Sequence, residues 1–406
     1  NINLMDQQSG SELALTGLGF GAKYLLGLTG IYYALDVDNT LFIGGEDSVL
    51  AYQDQTVGDP RSPIILRDEW KRPAEITGGF VGVNMTFDGK LVVVTDEGWI
   101  VVLDRDFSDY VAIALPGQEA ATAHNAEVVA SGVTLASASW VRNSIAIDDQ
   151  GGIYAVSLNE MHKVVWDGIK LSTSPADGAW SVPYSNNAGK GSGATPALMG
   201  YCDDRFVVIT DGDEQMNVVL FWRDGVPQGW EQIEGALSPQ IAGQALVTMG
   251  DPKLTAVQSE QGVVVGGYGA LVVNNDSPTI PDGYPAKAAR LLVSYSGADP
   301  AFAPHGMQKF AWDPVARVFE SAWINQQASS ANAVPLVSLG SNTLYTVGGR
   351  DGKWALEGID WTTGESVLTW ITGSSRYNTV FAGLFIDDEG HIVHGTTFGM
   401  VRYPAR

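Results

Sequence analysis

The amino-acid sequence predicts an all-β protein, a seven-bladed β-propeller with four-stranded antiparallel blades, as a single domain over residues 1–406. Helical periodicity is almost absent, and short β-branched and aromatic runs alternate with turns rich in Gly, Asp and Asn. The chain has 48 glycines, well above the usual share of about 7%. One phrase, in which an apolar run, a polar turn and a second apolar run follow each other, recurs seven times. Recurrence at roughly 50 residues is the signature of propeller blades.

Each copy of the phrase is expected to supply the two inner strands of one blade. The copies are Ile31–Gly45, Val83–Asp96, Asn143–Ser157, Ala197–Asp211, Ala256–Gly267, Leu336–Gly349 and Ala382–Thr396. In the fifth copy we place the turn near Gln261. Because Lys309–Trp323 lacks the first half of the phrase, we interpret it as outer strands of the fifth blade. A sandwich of two packed sheets is the alternative, but sandwiches do not repeat one phrase seven times.

The outer strands follow the inner ones in each blade. In the second blade we predict the third strand at Trp99–Asp104 and the outermost strand at Tyr110–Leu115. The chain ends soon after a third strand, Met400–Tyr403, so the last blade lacks its outermost strand. We predict that the N-terminal segment before Ile31 supplies this strand and closes the ring without an exposed edge.

Composition and charge exclude several classes of function. The chain has 23 Lys and Arg against 46 Asp and Glu, a formal charge of −23, which repels nucleic acids and anionic membranes. The single cysteine, Cys202, excludes an internal disulfide and any cysteine cluster for zinc or iron–sulfur. No apolar stretch is long enough to span a membrane. The first residue is Asn1 and not Met, and we expect a secreted or periplasmic monomer.

Some phrases resemble known propeller families. Trp354–Trp370 (WALEGIDWTTGESVLTW) and Phe310–Trp323 (FAWDPVARVFESAW) are similar to the A-x-D-x-x-T-G-x-x-x-W phrase of quinoprotein-dehydrogenase-like propellers. Asn143–Tyr154 resembles the inner strand of gluconolactonase-like propellers. Both resemblances imply the propeller fold. The first also implies a quinone cofactor beside a vicinal disulfide, which one cysteine makes impossible. The second implies acidic and amide ligands around calcium, and Asn143 matches one such position.

Function in propellers usually resides on loops that a rigid scaffold holds at one mouth of the channel. The connections between blades are expected to deliver their last residues there, and three of them, Gln118–Trp140, Thr173–Thr195 and Gly373–Asn378, carry distinctive residues. We predict catalytic groups at His124, Arg376, Tyr377 and Lys190, substrate-binding groups at Trp140, Arg142 and Asn378, and a metal ligand at Asn143. Arg, Tyr and His at one mouth could bind an anionic oxygen and move a proton.

Other residues have simpler interpretations. His162 opens a third strand and is expected to be exposed. Tryptophans within strands, such as Trp166 and Trp222, are expected to pack between blades. The acidic pairs in turns, such as Asp96 with Glu97, could hold a hard cation or could be ordinary turn formers of an acidic protein.

Two functions remain open from the sequence. The first is a hydrolase or lyase that acts on a small or sugar-like substrate at the channel mouth, with calcium as the expected metal. The second is a non-catalytic propeller that binds a small molecule, a carbohydrate or another protein. A redox quinoprotein is nearly eliminated by the cysteine count and the number of blades.

Overall fold

The computed structural model describes residues 32–59, 61–133, 135–279, 282, 296–330, 333–379, 382–396 and 399–404. Within these residues the chain forms seven antiparallel sheets, and nearly every strand pairs with its neighbour in sequence. This is the blade topology of a seven-bladed β-propeller, which confirms the predicted fold class. The chain divides into two compact units, residues 1–196 and 197–406, which are described separately.

The first unit contains three blades. The first blade has strands β1 (Tyr33–Leu35), β2 (Leu41–Gly44), β3 (Ser48–Asp54) and β4 (Ile64–Lys71). The second has β5 (Phe80–Met85), β6 (Leu91–Thr95), β7 (Trp99–Leu103) and β8 (Tyr110–Ala114). The third has β9 (Ala146–Ile147), β10 (Gly152–Val156), β11 (Glu160–Trp166), β12 (Leu171–Ser172) and β13 (Trp180–Pro183). Because β12 and β13 both pair with β11, this blade has five strands.

A helical insertion separates the second blade from the third. Helix α1 (Ala121–Ala130) and the short helix α2 (Leu135–Ala138) lie where the sequence analysis expected an irregular connection. Alanine and glutamate favour helix in ATAHNAEVVA. The helix was missed because its buried face is only three residues, Ala121, Asn125 and Val128, and one of them is polar.

The second unit contains four blades. The fourth blade has β14 (Ala197–Tyr201), β15 (Asp204–Thr210), β16 (Asn217–Trp222) and β17 (Ile241–Leu246). The fifth has β18 (Val264–Gly266), β19 (Gly269–Val273), β20 (His305–Asp313) and β21 (Val318–Ser329), and the sixth has β22 (Leu336–Ser338), β23 (Thr343–Arg350), β24 (Lys353–Asp360) and β25 (Ser366–Ile371). The seventh has β26 (Leu384–Ile386), β27 (Ile392–Thr396) and β28 (Gly399–Tyr403). The last blade shows three strands among the described residues. The closing strand predicted before Ile31 lies outside them.

The predicted register of the fifth blade is wrong. Its first two strands are β18 and β19, which pair Gly266 with Gly269 across a turn, and no strand is formed near Gln261. Gly267 adopts a φ of 63° in that turn, a conformation that glycine adopts without strain. The polar residues before Val263 and the glycines at 266–267 both suit a turn, and the structure forms it at the glycines. The assignment of β20 and β21 to this blade was right.

Apolar side chains from adjacent blades form the core. Phe42 of the first blade packs with Phe80 of the second, and Val94 of the second with Ile153 of the third. Trp166 and Trp222 are buried, as predicted for tryptophans between blades. Among the described residues, no helix has the length and apolar character that crossing a membrane requires.

Candidate functional site

A narrow crevice in the first unit brings together four of the predicted site residues. It is lined by Ser139, Trp140, Arg142, Asn143, Val156, Ser157, Leu158, Lys190, Gly191 and Ser192. These residues come from the end of the helical insertion, from the turn between β10 and β11, and from the loop after β13. The empty volume is about 140 Å³, part of it open to solvent. The space inside does not hold a water molecule, so a ligand could contact these residues only at the open side of the crevice.

Asn125 of α1 positions the tryptophan of the crevice. Its Oδ1 accepts a hydrogen bond from the Trp140 backbone N–H at 2.8 Å, and its Nδ2 donates to the Asp96 carbonyl at 3.2 Å. The Val141 N–H also donates to the Asp96 carbonyl at 3.0 Å. The helical insertion is therefore anchored on the turn after β6, and Trp140 has a defined place at the crevice.

The loop that carries Lys190 is held by side chains from its own blade. Asn186 Oδ1 accepts from the Gly191 N–H at 2.9 Å, and Asn186 Nδ2 donates to the Leu158 carbonyl at 2.9 Å. Gly191 has a φ of 70°, and a Cβ there would lie 3.1 Å from the Leu158 carbonyl oxygen. Glycine is therefore required for the close approach of this loop to the turn between β10 and β11.

Tyr184 also holds the loop that carries Lys190. Its hydroxyl accepts from the Ser192 N–H at 3.0 Å and donates to the Ser157 carbonyl at 2.6 Å. Asn143 Nδ2 donates to the Ser192 carbonyl at 2.8 Å, and Arg142 Nη2 lies 3.5 Å from the Gly191 carbonyl. The walls of the crevice are therefore connected by hydrogen bonds, which makes the site pre-organised.

His162 is fully buried, and the expectation that it is exposed was wrong. It shares a strand face with Val164 and Trp166, both buried, because residues two apart in a strand point the same way. Its Nδ1 lies 2.7 Å from Ser181 Oγ and its Nε2 lies 2.9 Å from Ser157 Oγ. Burial lowers the pKa of His162 to about 3, so the ring is neutral at pH 7. The alternation with Val164 and Trp166 is the signal that could have found it.

The crevice lining includes two cationic residues, Arg142 and Lys190, and no acidic residue. Arg142 is 7% exposed, and Lys190 is exposed at the rim. A divalent cation prefers several carboxylate or carbonyl oxygens. The lining around Asn143 therefore does not fit calcium.

The second unit contains a cluster of side chains that could act as metal ligands. The carboxylates of Asp387 and Glu389 and the ring of His391 place their ligand atoms within 4.8 Å of one another. The guanidinium of Arg402 already lies between the two carboxylates, at 2.7 Å from Asp387 and 2.6 Å from Glu389. This cluster therefore has its counter-charge within the chain.

The other predicted residues are not among those that line the crevice. His124 is half-buried on α1, and its Nε2 lies 2.7 Å from the Ala138 carbonyl, where it connects the two helices. Arg376 and Tyr377 are exposed in a short 3₁₀ turn of the second unit, and Asn378 after it is buried. Because they lie in the other unit, their convergence with His124 and Lys190 stays a prediction.

The fold and the crevice define a seven-bladed β-propeller, and comparisons with solved structures find similar folds. The structure is similar to BamB from Moraxella catarrhalis, with a TM-score of 0.51 and 11% identity over 92% of this chain and 87% of that one. It is also similar to the periplasmic gluconolactonase PpgL of Pseudomonas aeruginosa, with a TM-score of 0.50 and 13% identity over 85% of each chain. Both predicted resemblances are thereby confirmed, and at these identities they concern the fold alone.

Sequence comparison defines the family. No protein-family model matches. The chain is 34% identical over 386 residues to an uncharacterized protein of Archaeoglobus fulgidus, and the match covers 93% of this chain and 70% of that protein. The chain belongs to the family of this archaeal protein.

Proposed function

We propose that the protein is a hydrolase that cleaves an ester or lactone bond in a small or sugar-like substrate at the crevice. One observation carries this proposal. Trp140, Arg142, Asn143 and Lys190 were selected from two separate connections of the sequence, and they line one crevice. Loops on a rigid scaffold that bring polar and aromatic groups together are the usual location of function.

The chemistry follows from the groups in the lining. Arg142 and Lys190 stabilise negative charge that develops on a carbonyl oxygen, and Trp140 contacts the apolar face of a sugar ring. The Ser157 hydroxyl, whose Oγ lies 2.9 Å from His162 Nε2, serves as the nucleophile. Hydrolysis and elimination both need a base, and the described lining contains neither a carboxylate nor an accessible histidine. Hydrolysis is preferred of the two because one fold neighbour is described as a gluconolactonase.

The fold neighbours support a first substrate and a location. One of them is described as a periplasmic gluconolactonase, so we propose sugar lactones as the first compounds to test. The same likeness supports the proposed periplasmic or secreted location, which cell fractionation of the native host tests. The calcium expected near Asn143 does not match a lining without carboxylates, so we expect a melting temperature that EDTA leaves unchanged. A monomeric state remains a proposal, and light scattering measures it.

One observation favours a second candidate, a propeller that binds its ligand without turnover. His162, the base nearest to Ser157, has a pKa of about 3 because it is buried. No carboxylate in the described structure is within hydrogen-bond distance of its ring nitrogens, whose partners are Ser181 and Ser157. Proton transfer is most efficient when the pKa of the base lies near the working pH. His162 is therefore a weak base.

Turnover and binding assays on the intact chain separate the two candidates. Wild-type protein is tested against a panel of sugar lactones and short esters, together with S157A and W140A. We expect S157A to lose at least about 100-fold in kcat with little change in binding, and W140A to lose binding. Binding without turnover would favour the second candidate. Turnover that both variants leave unchanged would place the reaction outside the crevice.

A further inference from the structure

We infer that the turns between the first and second strands of the blades in the second unit form a docking surface for a cationic, apolar segment of another protein. This surface, the turn patch, consists of Tyr201, Cys202, Tyr268 and Leu339. None of these residues lines the crevice of the first unit. The inference therefore goes beyond the proposed function and does not depend on it.

The side chains of the turn patch are in contact across three neighbouring blades. The Tyr268 hydroxyl donates to the Tyr201 carbonyl at 3.3 Å, and the ring centroids of the two tyrosines lie 5.6 Å apart. A Cβ at Gly266 would lie 3.0 Å from Leu339 Cδ2, so the leucine of the sixth blade lies against the turn of the fifth. The turn patch is therefore one continuous surface.

The exposure of these apolar side chains is unusual for turns. Tyr201 is 54% exposed and Leu339 is 58% exposed, whereas turns consist mainly of Gly, Pro, Asn, Asp and Ser. Equivalent turns of the first unit also expose an apolar side chain, Val37 in the first blade and Phe87 in the second. Single exposed apolar residues need no explanation, but a continuous exposed patch is typical of an interaction site.

The seventh blade adds an acidic group next to the turn of the sixth. The bridge between Val334 and Gly383 is parallel, so the first strands of these two blades begin together and their turns lie at the same level. Arg402 pairs with two of the three carboxylates in the turn of the seventh blade. Asp388, the third, is exposed and forms no ion pair in the described structure.

The charge of these turns indicates a cationic partner. Asp203, next to Cys202, is also exposed and forms no ion pair within the described residues. The sequence has no lysine or arginine in the turns between the first and second strands of the four blades, at 202–203, 267–268, 339–342 and 387–391.

Electrostatic complementarity separates the candidate partners. Opposite charges across an interface favour association, and like charges oppose it. A second copy of this chain, with its net charge of −23, and an anionic lipid surface would both bring negative charge to the acidic turns. A protein segment that carries lysine or arginine beside apolar side chains matches both the apolar patch and its charge.

Peptide binding to the full chain tests this inference. The probe is a blocked octapeptide of alternating leucine and lysine, and its two controls replace leucine by serine or lysine by glutamate. Cys202, the single cysteine, is exposed in the turn patch, so its rate of alkylation by iodoacetamide reports occupancy of the patch. We expect the leucine–lysine peptide to slow alkylation at least about tenfold at saturation, and the two controls to leave the rate unchanged.

Substitutions in the turn patch locate the binding. Y201S and L339S should each weaken binding of the leucine–lysine peptide about tenfold in isothermal titration calorimetry. V367S is the matched control, because Val367 is 59% exposed on β25 of the same unit but lies outside the turns. It should bind the peptide as the wild type does. Because all three side chains are exposed, the variants should keep the wild-type melting temperature.

Several outcomes would overturn the inference. It fails if the leucine–lysine peptide does not bind, if the serine–lysine peptide protects Cys202 equally well, or if Y201S and L339S bind as V367S does. Protection of Cys202 by phosphatidylglycerol vesicles would assign the turn patch to a lipid surface instead. Protection that grows with protein concentration in the absence of peptide would assign it to a second copy of the chain.

Discussion

The indole nitrogen of Trp166 donates a hydrogen bond to Asp88 Oδ2 at 3.0 Å. This bond joins β11 of the third blade to the turn between β5 and β6 of the second blade. The same relationship recurs in the second unit, where Trp312 donates to Asp204 at 2.8 Å between the fifth and fourth blades. The two bonds occupy equivalent places in their blades. A tryptophan at this position therefore connects neighbouring blades by a polar contact as well as by packing.

Removing the hydrogen bond between Trp166 and Asp88 should lower the free energy of unfolding. W166F keeps an aromatic ring between the blades but leaves Asp88 without the indole donor. Hydrogen bonds to charged groups contribute about 1.5–3 kcal/mol, and we expect a loss of that order in the free energy of unfolding by urea. W99F is the control, because the Trp99 indole nitrogen is buried without a hydrogen-bond partner. If both variants lose the same amount, volume rather than the hydrogen bond explains the effect.

The burial of His162 predicts how the free energy of unfolding changes at acidic pH. Burial lowers its pKa from 6.5 to about 3, so the unfolded chain binds a proton between these values and the folded chain does not. Stability should therefore fall as the pH is lowered from about 6.5 toward 3, by at most about 5 kcal/mol, and should not depend on this group above pH 7. In H162Q this contribution should be absent. Urea unfolding of both proteins across this range is the measurement, and parallel curves would contradict the assignment.

The burial of Asp96 predicts a pH dependence of stability with the opposite sign. Burial, assisted by the charge of Glu97, raises the pKa of Asp96 from 3.8 to about 6 against the opposing effects of the Gly79 N–H and Arg72. The folded chain therefore holds this proton between about pH 4 and 6 while the unfolded chain releases it, so stability falls as the pH rises through this window.

D96N removes the titrating group and retains an oxygen that can accept from the Gly79 N–H. Relative to wild type it should gain up to about 3 kcal/mol at pH 8 and gain nothing at pH 3.5. The difference between the two proteins at each pH isolates Asp96 from Asp211, whose pKa burial also raises to about 6. A D96N gain that is the same at both pH values would refute the assignment.

Gly98 is expected to control the position of Trp140. Its φ is 82°, and a Cβ at this position would lie 2.3 Å from Trp140 Cζ3. G98A should therefore displace the indole and lower stability by more than the roughly 1 kcal/mol that a left-handed alanine costs. Hydrogen exchange of residues 118–140 should also become faster.

Gly89 provides the matched control for this substitution. Its φ is 88°, and a Cβ there would meet no atom within 4 Å. G89A should show the backbone strain alone, with unchanged exchange in residues 118–140. Equal behaviour of the two variants would show that contact with Trp140 is not the cause.

Local patterns were enough to predict the number of sheets and most of their strands. The assignment of β20 and β21 to the fifth blade succeeded because strand alternation and turn residues act over a few positions. The same local reasoning failed for the first two strands of that blade, where two candidate turns were close together and the glycines at 266–267 formed the real one. It also missed α1, whose buried face carries the polar Asn125.

The candidate site was only partly predictable. Trp140, Arg142, Asn143 and Lys190 were found because they lie in distinctive connections, whereas Ser157, Asn125 and Tyr184 look like ordinary turn, helix and loop residues in the sequence. His162 was expected to be exposed because it opens a strand, although its alternation with Val164 and Trp166 indicated a buried face.

The sequence by itself determined the seven blades, because each blade is a local repeat whose strands pair with their neighbours along the chain. It also determined the net charge of −23 and, with one cysteine, excluded an internal disulfide. Only the tertiary structure decided that Trp140 and Lys190, on connections about 50 residues apart, line one crevice. The physical reason is that packing between loops and turns depends on side-chain hydrogen bonds, such as those of Asn125, Asn186 and Tyr184, whose partners are distant in sequence.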